Sequence, residues 1–160
     1  MEMKKCPNCG SAKIVVKRKG RDKLDVAGLS FVAIVPVEVC QKCGSKYFQA
    51  ATLRAMELRV AQALAARGVR SGAAIRFMRK ALGLRAVDLA ELLAVEPETI
   101  SRWENDERQI EARAFVLVGL LVEDMLDGRA TTRARLEALH KPAKRMAAVI
   151  RIDAGKTEAA

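Results

Sequence analysis

Four cysteines in two matched CxxCG units constrain this chain more than any other feature of its sequence. The chain has no other cysteine, and the pairs are Cys6 with Cys9 and Cys40 with Cys43. Four thiolates form the ligand set of a closed, tetrahedral zinc site with a structural role. We therefore predict one structural Zn²⁺ per chain on these four residues. The alternatives are two disulfides, which a cytosolic compartment disfavours, and a redox CxxC motif, which the matching of the two pairs disfavours.

The segment between the two cysteine pairs is predicted to be a β-hairpin. Ile14 and Val16 alternate with polar residues, and Lys19–Asp22 is predicted to form a turn. A longer alternating run follows over residues 29–39, where Pro36 favours an edge or a bend because it cannot donate to a ladder. A hairpin of this size has little core of its own, so we expect that it needs the metal to fold.

Three short helical patterns follow between residues 75 and 110. Gly83 ends the first pattern, and Leu89 and Leu92 lie in the second. Pro97 opens the third, at a position where a fixed φ and a missing N–H are tolerated. A joint this short, residues 94–97, forces the second and third helices to cross steeply. That arrangement is typical of a helix-turn-helix, which presents its second helix to the DNA major groove; a helical hairpin with no DNA role is the alternative.

Further helices are predicted on both sides of this unit. Residues 50–68 carry a helical apolar stripe and form a predicted helical linker, after which Ser71 is the candidate N-cap of the next helix. Residues 111–127 are apolar on nearly every side, which predicts a helix covered by its own core and by a twin helix in a homodimer. Thr132 is predicted to cap one more helix before a basic tail. Tyr47 and Trp103 are interpreted as packing residues.

Charge and composition limit the classes of function. The net charge is +10 with a pI of about 9.8, which suits a polyanionic partner. The charge is uneven, since residues 1–49 carry 10 basic and 4 acidic side chains whereas residues 74–128 carry 7 and 11. No apolar run reaches membrane length and no secretory leader precedes Cys6, so we expect a cytoplasmic protein without a membrane partner. No catalytic constellation emerges, and we expect no enzyme activity.

The helical patterns over residues 75–110 resemble the Xre-type helix-turn-helix of phage repressors and antitoxins, with the closest likeness in "LAELLAVEPETISRWEN". The resemblance implies a structural ion pair between Arg79 and Glu104. It also implies base contacts from the start of the second helix and the exposed face of the third, namely Arg85, Ala86, Pro97, Glu98, Thr99 and Arg102. Arg108, just past the third helix, is placed for a phosphate. Two residues depart from the family pattern, since Ala86 replaces a Gln and Asp106 replaces a Gly that takes φ > 0.

The order of the two modules carries a second resemblance. A CxxC…CxxC finger with a β-rich insert, joined to an Xre-type helix-turn-helix, is similar to the MqsA/YgiT-type antitoxins over about residues 3–127. The resemblance implies a finger that is structural and contacts an RNase toxin, and a dimer that binds double-stranded DNA at its own promoter and represses its own toxin–antitoxin operon. It assigns a DNA contact to Arg102, whereas Glu98 stands where the family has Asn, so a different operator is expected.

The sequence therefore predicts an α+β protein with a zinc-pinned β-rich module, a helical linker and an all-α helix-turn-helix domain. The predicted boundaries are residues 1–49, 50–72, 73–128 and a short helix with a basic tail over 129–160. The predicted function is sequence-specific transcriptional regulation by an antitoxin. A zinc-ribbon module that binds RNA or the transcription machinery is the first alternative, and a thiol oxidoreductase is the second.

Overall fold

The computed structural model describes residues 3–140 as a three-stranded antiparallel sheet followed by six helices. This arrangement confirms the predicted α+β class. The predicted basic tail lies outside the described residues. Within residues 3–140, no helix combines the length and the apolar character needed to cross a membrane. The elements in chain order are β1 (Ile14–Val26), β2 (Leu29–Cys40), β3 (Lys46–Tyr47), α1 (Ala50–Ala66), α2 (Gly72–Ala81), α3 (Ala86–Leu93), α4 (Pro97–Glu104), α5 (Ala112–Leu126) and α6 (Thr131–Leu139).

Strands β1 and β2 form a hairpin that is longer than the sequence pattern indicated. The turn predicted at Lys19–Asp22 is wrong, because β1 continues through these residues. The chain instead reverses at Ala27 and Gly28, which both have positive φ, 52° and 76°, as a two-residue hairpin turn requires. Alanine is an unusual residue for that conformation, so the Ala27–Gly28 pair lacks the Asn-Gly or Asp-Gly composition that would predict such a turn.

A β-bulge interrupts the β1–β2 ladder near its middle. Arg18 and Lys19 lie between the pairs Lys17–Val37 and Gly20–Val35, so two residues of β1 oppose the single residue Pro36 of β2. Proline has no N–H to donate, and the bulge places it where the ladder is already interrupted. Pro36 therefore lies at an irregularity of the strand pair, in line with its predicted position at an edge or bend.

The main hydrophobic core lies between the helices. Helix α1, predicted as a linker, packs against α5 and α2, and Leu64 and Ala61 on it are completely buried. The tip of the hairpin also packs against this core through Leu24, Val26 and Phe31. The hairpin is therefore in contact with the helical core at the end opposite its cysteines.

The helices α2, α3 and α4 begin and end close to the predicted positions. The caps predicted for α2 and α6, Ser71 and Thr132, differ from those in the structure. Ser71 occupies the N-cap position of α2 but makes no side-chain cap bond, and the Asp106 carboxylate accepts the Gly72 N–H. Asp106 has φ of 57°, the positive value predicted for this position. Thr132 lies inside α6 rather than capping it, and its N–H donates to Asp124 Oδ2 at 2.6 Å. Aspartates distant in sequence therefore supply both caps.

Candidate functional site

The two CxxCG units form a pair of similar turns at the base of the hairpin. In the first turn Gly10 N–H donates to the Cys6 carbonyl, and in the second Gly44 N–H donates to the Cys40 carbonyl, at 2.8 and 2.9 Å. Both glycines adopt positive φ, 69° and 74°, which residues with a side chain rarely tolerate. The β1–β2 pairing of Ile14 with Cys40 brings the two turns together. The backbone therefore positions all four thiols at one end of the sheet.

The four cysteine sulfurs lie within 4.8 Å of one another and could hold one metal ion. The Sγ–Sγ distances are 3.6 Å for Cys6–Cys43 and 3.6 Å for Cys9–Cys40, and all four cysteines are free. Ligands about 2.3 Å from a tetrahedral zinc ion would be roughly 3.8 Å apart, close to these distances. A disulfide would need about 2.05 Å between sulfurs. The geometry therefore fits a closed tetrahedral metal site.

Two hydroxyl groups next to the cluster were not assigned a role by the sequence. Tyr47 Oη lies 3.2 Å from Cys6 Sγ, and Ser45 Oγ lies 3.2 Å from Cys43 Sγ. Tyr47 was interpreted as a packing residue, and the structure corrects this because its hydroxyl contacts a candidate ligand. Hydrogen bonds of this kind stabilise thiolates and orient metal ligands. A Ser two residues after a CxxC cysteine is a local signal that could have been found from the sequence.

Hydrogen bonds, burial and neighbouring thiols shift the pKa values of three of the four cysteines in different directions. Hydrogen bonding between Cys43 and Ser45 lowers the pKa of Cys43 to about 6, and hydrogen bonding between Cys6 and Tyr47 lowers the pKa of Cys6. A hydrogen bond from the Ser11 backbone acts to lower the pKa of Cys9, but burial and the neighbouring cysteines raise it to about 12. Several thiolates cannot form side by side without a cation, and a divalent metal ion would supply the missing charge.

A second polar cluster lies between α2 and the end of α4. The Glu104 carboxylate, with 7% of its side chain exposed, accepts hydrogen bonds from Arg79, whose side chain is 12% exposed; one of them, from Nη2, is 2.9 Å long. Arg76, which the sequence analysis missed, adds a bond from Nε to Glu104 at 3.2 Å and one to Asn105 at 2.7 Å. Arg76 lies three residues before Arg79, so helical spacing could have indicated it. We call these four residues the Glu104 clasp.

Close packing accompanies the clasp. A Cβ on Gly72 would lie 2.5 Å from the Glu104 carbonyl oxygen, so only glycine fits where α2 meets the end of α4. Ile100 and Trp103 on the same helix are buried in the core, at 0% and 2% exposure. The inner face of α4 is thereby fixed against α2. The orientation of the outer face of α4 follows from this packing.

The residues predicted to contact DNA lie on or beside the outer surface of α3 and α4. Glu98 and Arg102 are exposed on α4, and Thr99 between them is half-buried. Arg85 precedes α3 and forms an ion pair with Asp88, while Arg108 forms one with Glu111, each at 2.7 Å. To bind a phosphate, each of these two arginines would have to leave its carboxylate or to contact both anions at once. Arg102 has no ion pair within residues 3–140.

Comparison with known proteins adds one family to this description. The model of the family described as "Antitoxin component of bacterial toxin-antitoxin system, MqsA" matches residues 3–126. No curated protein and no solved structure matched the chain. The matched segment includes the four-cysteine cluster, the hairpin and the helices from α1 to α5. The chain therefore belongs to the MqsA antitoxin family.

Proposed function

We propose that this protein is the antitoxin of a toxin–antitoxin pair, which represses its own operon by binding the promoter and binds an RNase toxin through its zinc module. The observation that carries the proposal is the match of one antitoxin family over residues 3–126. The exposed surface of α4 supports the DNA-binding half of the proposal. In this role the protein acts as a regulator and performs no chemistry itself.

The metal in this proposal is Zn²⁺ with a structural role. Cys6, Cys9, Cys40 and Cys43 supply four sulfur ligands at distances that suit a tetrahedral ion. Zinc prefers such sites, and four thiolates leave no coordination position for a substrate. The ion would tie the start of β1 to the end of β2. It would thereby hold the hairpin that packs against the helical core.

In the proposed DNA complex, α4 lies in the major groove. Arg102 is exposed, and its planar guanidinium can donate two hydrogen bonds to O6 and N7 of guanine. Thr99 can reach a phosphate or a thymine methyl group, and Glu98 can accept from the amino group of cytosine. Arg85 and Arg108 lie outside α4 and would bind backbone phosphates. Base reading and phosphate binding thus fall to different arginines.

Replacing Arg102 by Ala is expected to weaken binding to the protein's own promoter far more than binding to a scrambled duplex. Loss of a bidentate base contact costs about 1–3 kcal/mol of discrimination. Replacing Arg85 by Ala should weaken binding to both duplexes alike, because a phosphate contact carries no sequence information. It should also reduce the salt slope, which is the slope of log K against log salt concentration, by about one unit. Binding titrations at several salt concentrations on both duplexes measure these effects.

The matched control is Arg59→Ala, because Arg59 is an exposed arginine on α1, outside the α2–α4 unit. It should leave promoter preference unchanged. The proposal fails if the wild-type protein prefers neither duplex. If the preference of the Arg102→Ala variant equals that of the wild type, the assignment of Arg102 as a base-reading residue is wrong.

A homodimer through α5 belongs to the same proposal, since operators are two-fold like the proteins that bind them. The exposure of the apolar residues of α5 supports a particular interface. Val118 is completely buried in its own core, whereas Val116 and Leu120 are 57% and 41% exposed. These two residues are four positions apart and share one face of the helix. That face is the proposed dimer contact.

Replacing Val116 by Glu is expected to convert the dimer to monomers and to lower operator affinity. A carboxylate at a two-fold interface would face its own copy across the contact. Sedimentation at tens of micromolar, roughly where such dimers persist, measures the change. The control is Ala73→Glu, an exposed position on α2. A wild-type protein that sediments as a monomer under these conditions would contradict the proposed dimer.

The toxin is proposed to bind the zinc module beside α1. A cleft of about 510 Å³ opens between β2 and α1 and is lined mainly by apolar residues, among them Ile34, Pro36 and Met56. Val32 and Ile34 belong to this lining and are 61% and 64% exposed, and exposed apolar side chains that lie together are typical of interaction sites. Co-purification with the product of an adjacent small RNase-like reading frame tests this part, and a pair that separates on a sizing column would contradict it.

A further inference from the structure

Strand β2 has a long unpaired edge. Strand β1 lies along one side of β2, whereas β3 pairs only with Glu38 and Val39 on the other side. Within the described part of the chain, residues 29–37 of β2 therefore have no strand on that second side. An unpaired edge presents backbone N–H and C=O groups to which a further extended segment can bind.

The cleft between β2 and α1 lies along this edge. Residues 31–36 form its β2 wall, and Thr52 and Arg59 belong to its α1 wall. A second cavity, of about 230 Å³, adjoins the cleft at Pro36 and Thr52 and is lined by Glu38. The two cavities form one groove, which follows the strand for about 23 Å. Arg59 lies two helical turns beyond Thr52, toward the end of the groove that is distant from Glu38.

The groove has opposite charges at its two ends. At one end the Glu38 carboxylate is 6% exposed and accepts a hydrogen bond from the backbone N–H of Met3 at 3.2 Å. At the other end Arg59 is exposed and donates to Gln62 at 3.2 Å. Neither Glu38 nor Arg59 forms an ion pair within residues 3–140. Between these two ends the lining of the groove is mainly apolar.

The sequence beyond the described residues contains a segment whose side chains match the groove. Residues 145–153 read RMAAVIRID. Every second position from 146 to 152 is apolar, which is the pattern of a strand with one buried face. Arg145 and Asp153 flank these positions with opposite charges, and in an extended chain they would lie about 26 Å apart. The segment therefore matches the groove in length, in apolar character and in the charges at both ends.

We propose that residues 145–153 bind in this groove as an additional strand beside β2. The added strand runs antiparallel to β2, which places Arg145 at Glu38 and Asp153 at Arg59. Its backbone groups pair with the free edge, and its apolar side chains cover the exposed apolar side chains of β2. Arg145 also gives the buried Glu38 carboxylate the counter-charge that a buried charge requires.

The end of α6 suits this path of the chain. His140 and Gly83 line one cavity of about 590 Å³. A Cβ on Gly83 would lie 3.3 Å from Nη2 of Arg54, so this cavity adjoins the first turns of α1, at the Glu38 end of the groove. The connection from His140 to Arg145 reaches up to about 18 Å when extended. The segment can therefore enter the groove at the end where Arg145 is required.

The consequence for function rests on the proposed binding of the toxin in the same cleft. A segment that occupies the cleft competes with the toxin, and the apparent affinity for the toxin falls by the fraction of molecules whose cleft is open. The chain then carries its own competitor, which a ligand of higher affinity has to displace. The contact between the segment and the groove is independent of the identity of the toxin.

Hydrogen exchange of the full-length protein tests the contact, with protection measured over residues 31–35 and 146–150. We expect Arg145→Glu to lower protection in both regions by about tenfold or more, because like charges in contact strongly disfavour association. The matched control is Lys156→Glu, which makes the same change of charge outside the proposed strand. This control should leave the protection of both regions as it is in the wild type.

An exchange of charges at the other end of the groove tests the pairing itself. Arg59→Glu and Asp153→Arg should each lower protection, since each places like charges together, whereas the double variant should restore it. Arg59 is exposed, so its replacement removes no side chain from the helical core. Zinc content and sedimentation identical to those of the wild type show that each variant is folded.

Equal protection of residues 31–35 in the wild type and in Arg145→Glu would overturn the inference. A double variant that is no better protected than the two single variants would overturn the pairing of Arg59 with Asp153. If protection is lost when the proposed dimer is diluted to monomers, the segment binds to the partner copy, and binding within one chain is wrong.

Toxin binding is measured separately on the same variants. Arg145→Glu should bind the adjacent RNase-like protein more tightly than the wild type does, because its cleft is open. An RNase-like protein that binds neither of them contradicts the proposed toxin site, and the exchange results then still decide whether the segment occupies the groove.

Discussion

Replacing Cys40 by Ser is expected to abolish metal binding and to unfold the hairpin while residues 72–126 remain helical. Cys40 is completely buried and ends β2, and its sulfur lies 3.6 Å from that of Cys9. Structural zinc sites supply about 10–16 kcal/mol of apparent binding free energy in small peptides, which is far more than the hairpin's own small core can provide. The loss of a ligand should therefore affect folding of the module as a whole.

Metal content by native mass spectrometry and hydrogen exchange of the backbone amides measure this prediction. We expect the amides of β1 and β2 to lose protection, while those of α2 and α5 keep most of theirs. Lys42→Ser is the matched control, because Lys42 is an exposed residue of the same turn and not a candidate ligand. A native wild-type chain that is metal-free with two disulfides would contradict the zinc assignment.

If the backbone amides of the Cys40→Ser variant lose protection throughout the chain, the helical core depends on the hairpin for its stability. The contacts of Leu24, Val26 and Phe31 with that core make the comparison informative. A large core of buried helical residues argues that α2 to α5 persist. If the variant still binds DNA, the helical domain also functions without the folded hairpin.

The parts of this structure that the sequence predicted correctly are those with local signals. The spacing of the cysteines places the two sulfurs of each pair close together because each CxxCG unit closes its own turn. Pro97 begins α4 as predicted, since its fixed φ suits the first position of a helix. The alternation over β2 also gave the right faces, with Val37 buried and Ile34 exposed. In each case neighbours in sequence determine the conformation.

The parts that the sequence missed depend on contacts between distant residues. Lys19–Asp22 has the composition of a turn, but the packing of Gly20 against Val37 keeps it in the strand. The helix N-termini at Gly72 and Thr132 are capped by aspartates 34 and 8 residues away rather than by the adjacent Ser or Thr. Periodicity alone likewise could not separate the buried Val118 from the exposed Val116, because α5 is apolar on nearly every side.

Replacing Glu104 by Gln is expected to destabilise the helical domain by about 3–5 kcal/mol, the range for removing one partner of a buried ion pair. Gln keeps the shape of Glu but leaves the guanidinium of Arg79 without a counter-charge in a place where its side chain is only 12% exposed. An arginine side chain keeps its proton in proteins, so the guanidinium of Arg79 cannot escape the loss by deprotonating. Urea unfolding followed by helical circular dichroism measures the change.

Two further variants separate the effect of burial on the free energy of unfolding from the effect of charge. Arg76→Gln removes an arginine that is 46% exposed and should cost less than about 1 kcal/mol, as for surface ion pairs. The double variant Arg79→Met, Glu104→Leu replaces the buried pair with apolar side chains and should be more stable than Glu104→Gln, because neither partner is then left unpaired. If Glu104→Gln shifts the unfolding free energy no more than Arg76→Gln does, the clasp is not what holds α4 against α2. If it has the predicted effect, promoter preference should decline along with stability, since the outer face of α4 is positioned by the contacts of its inner face.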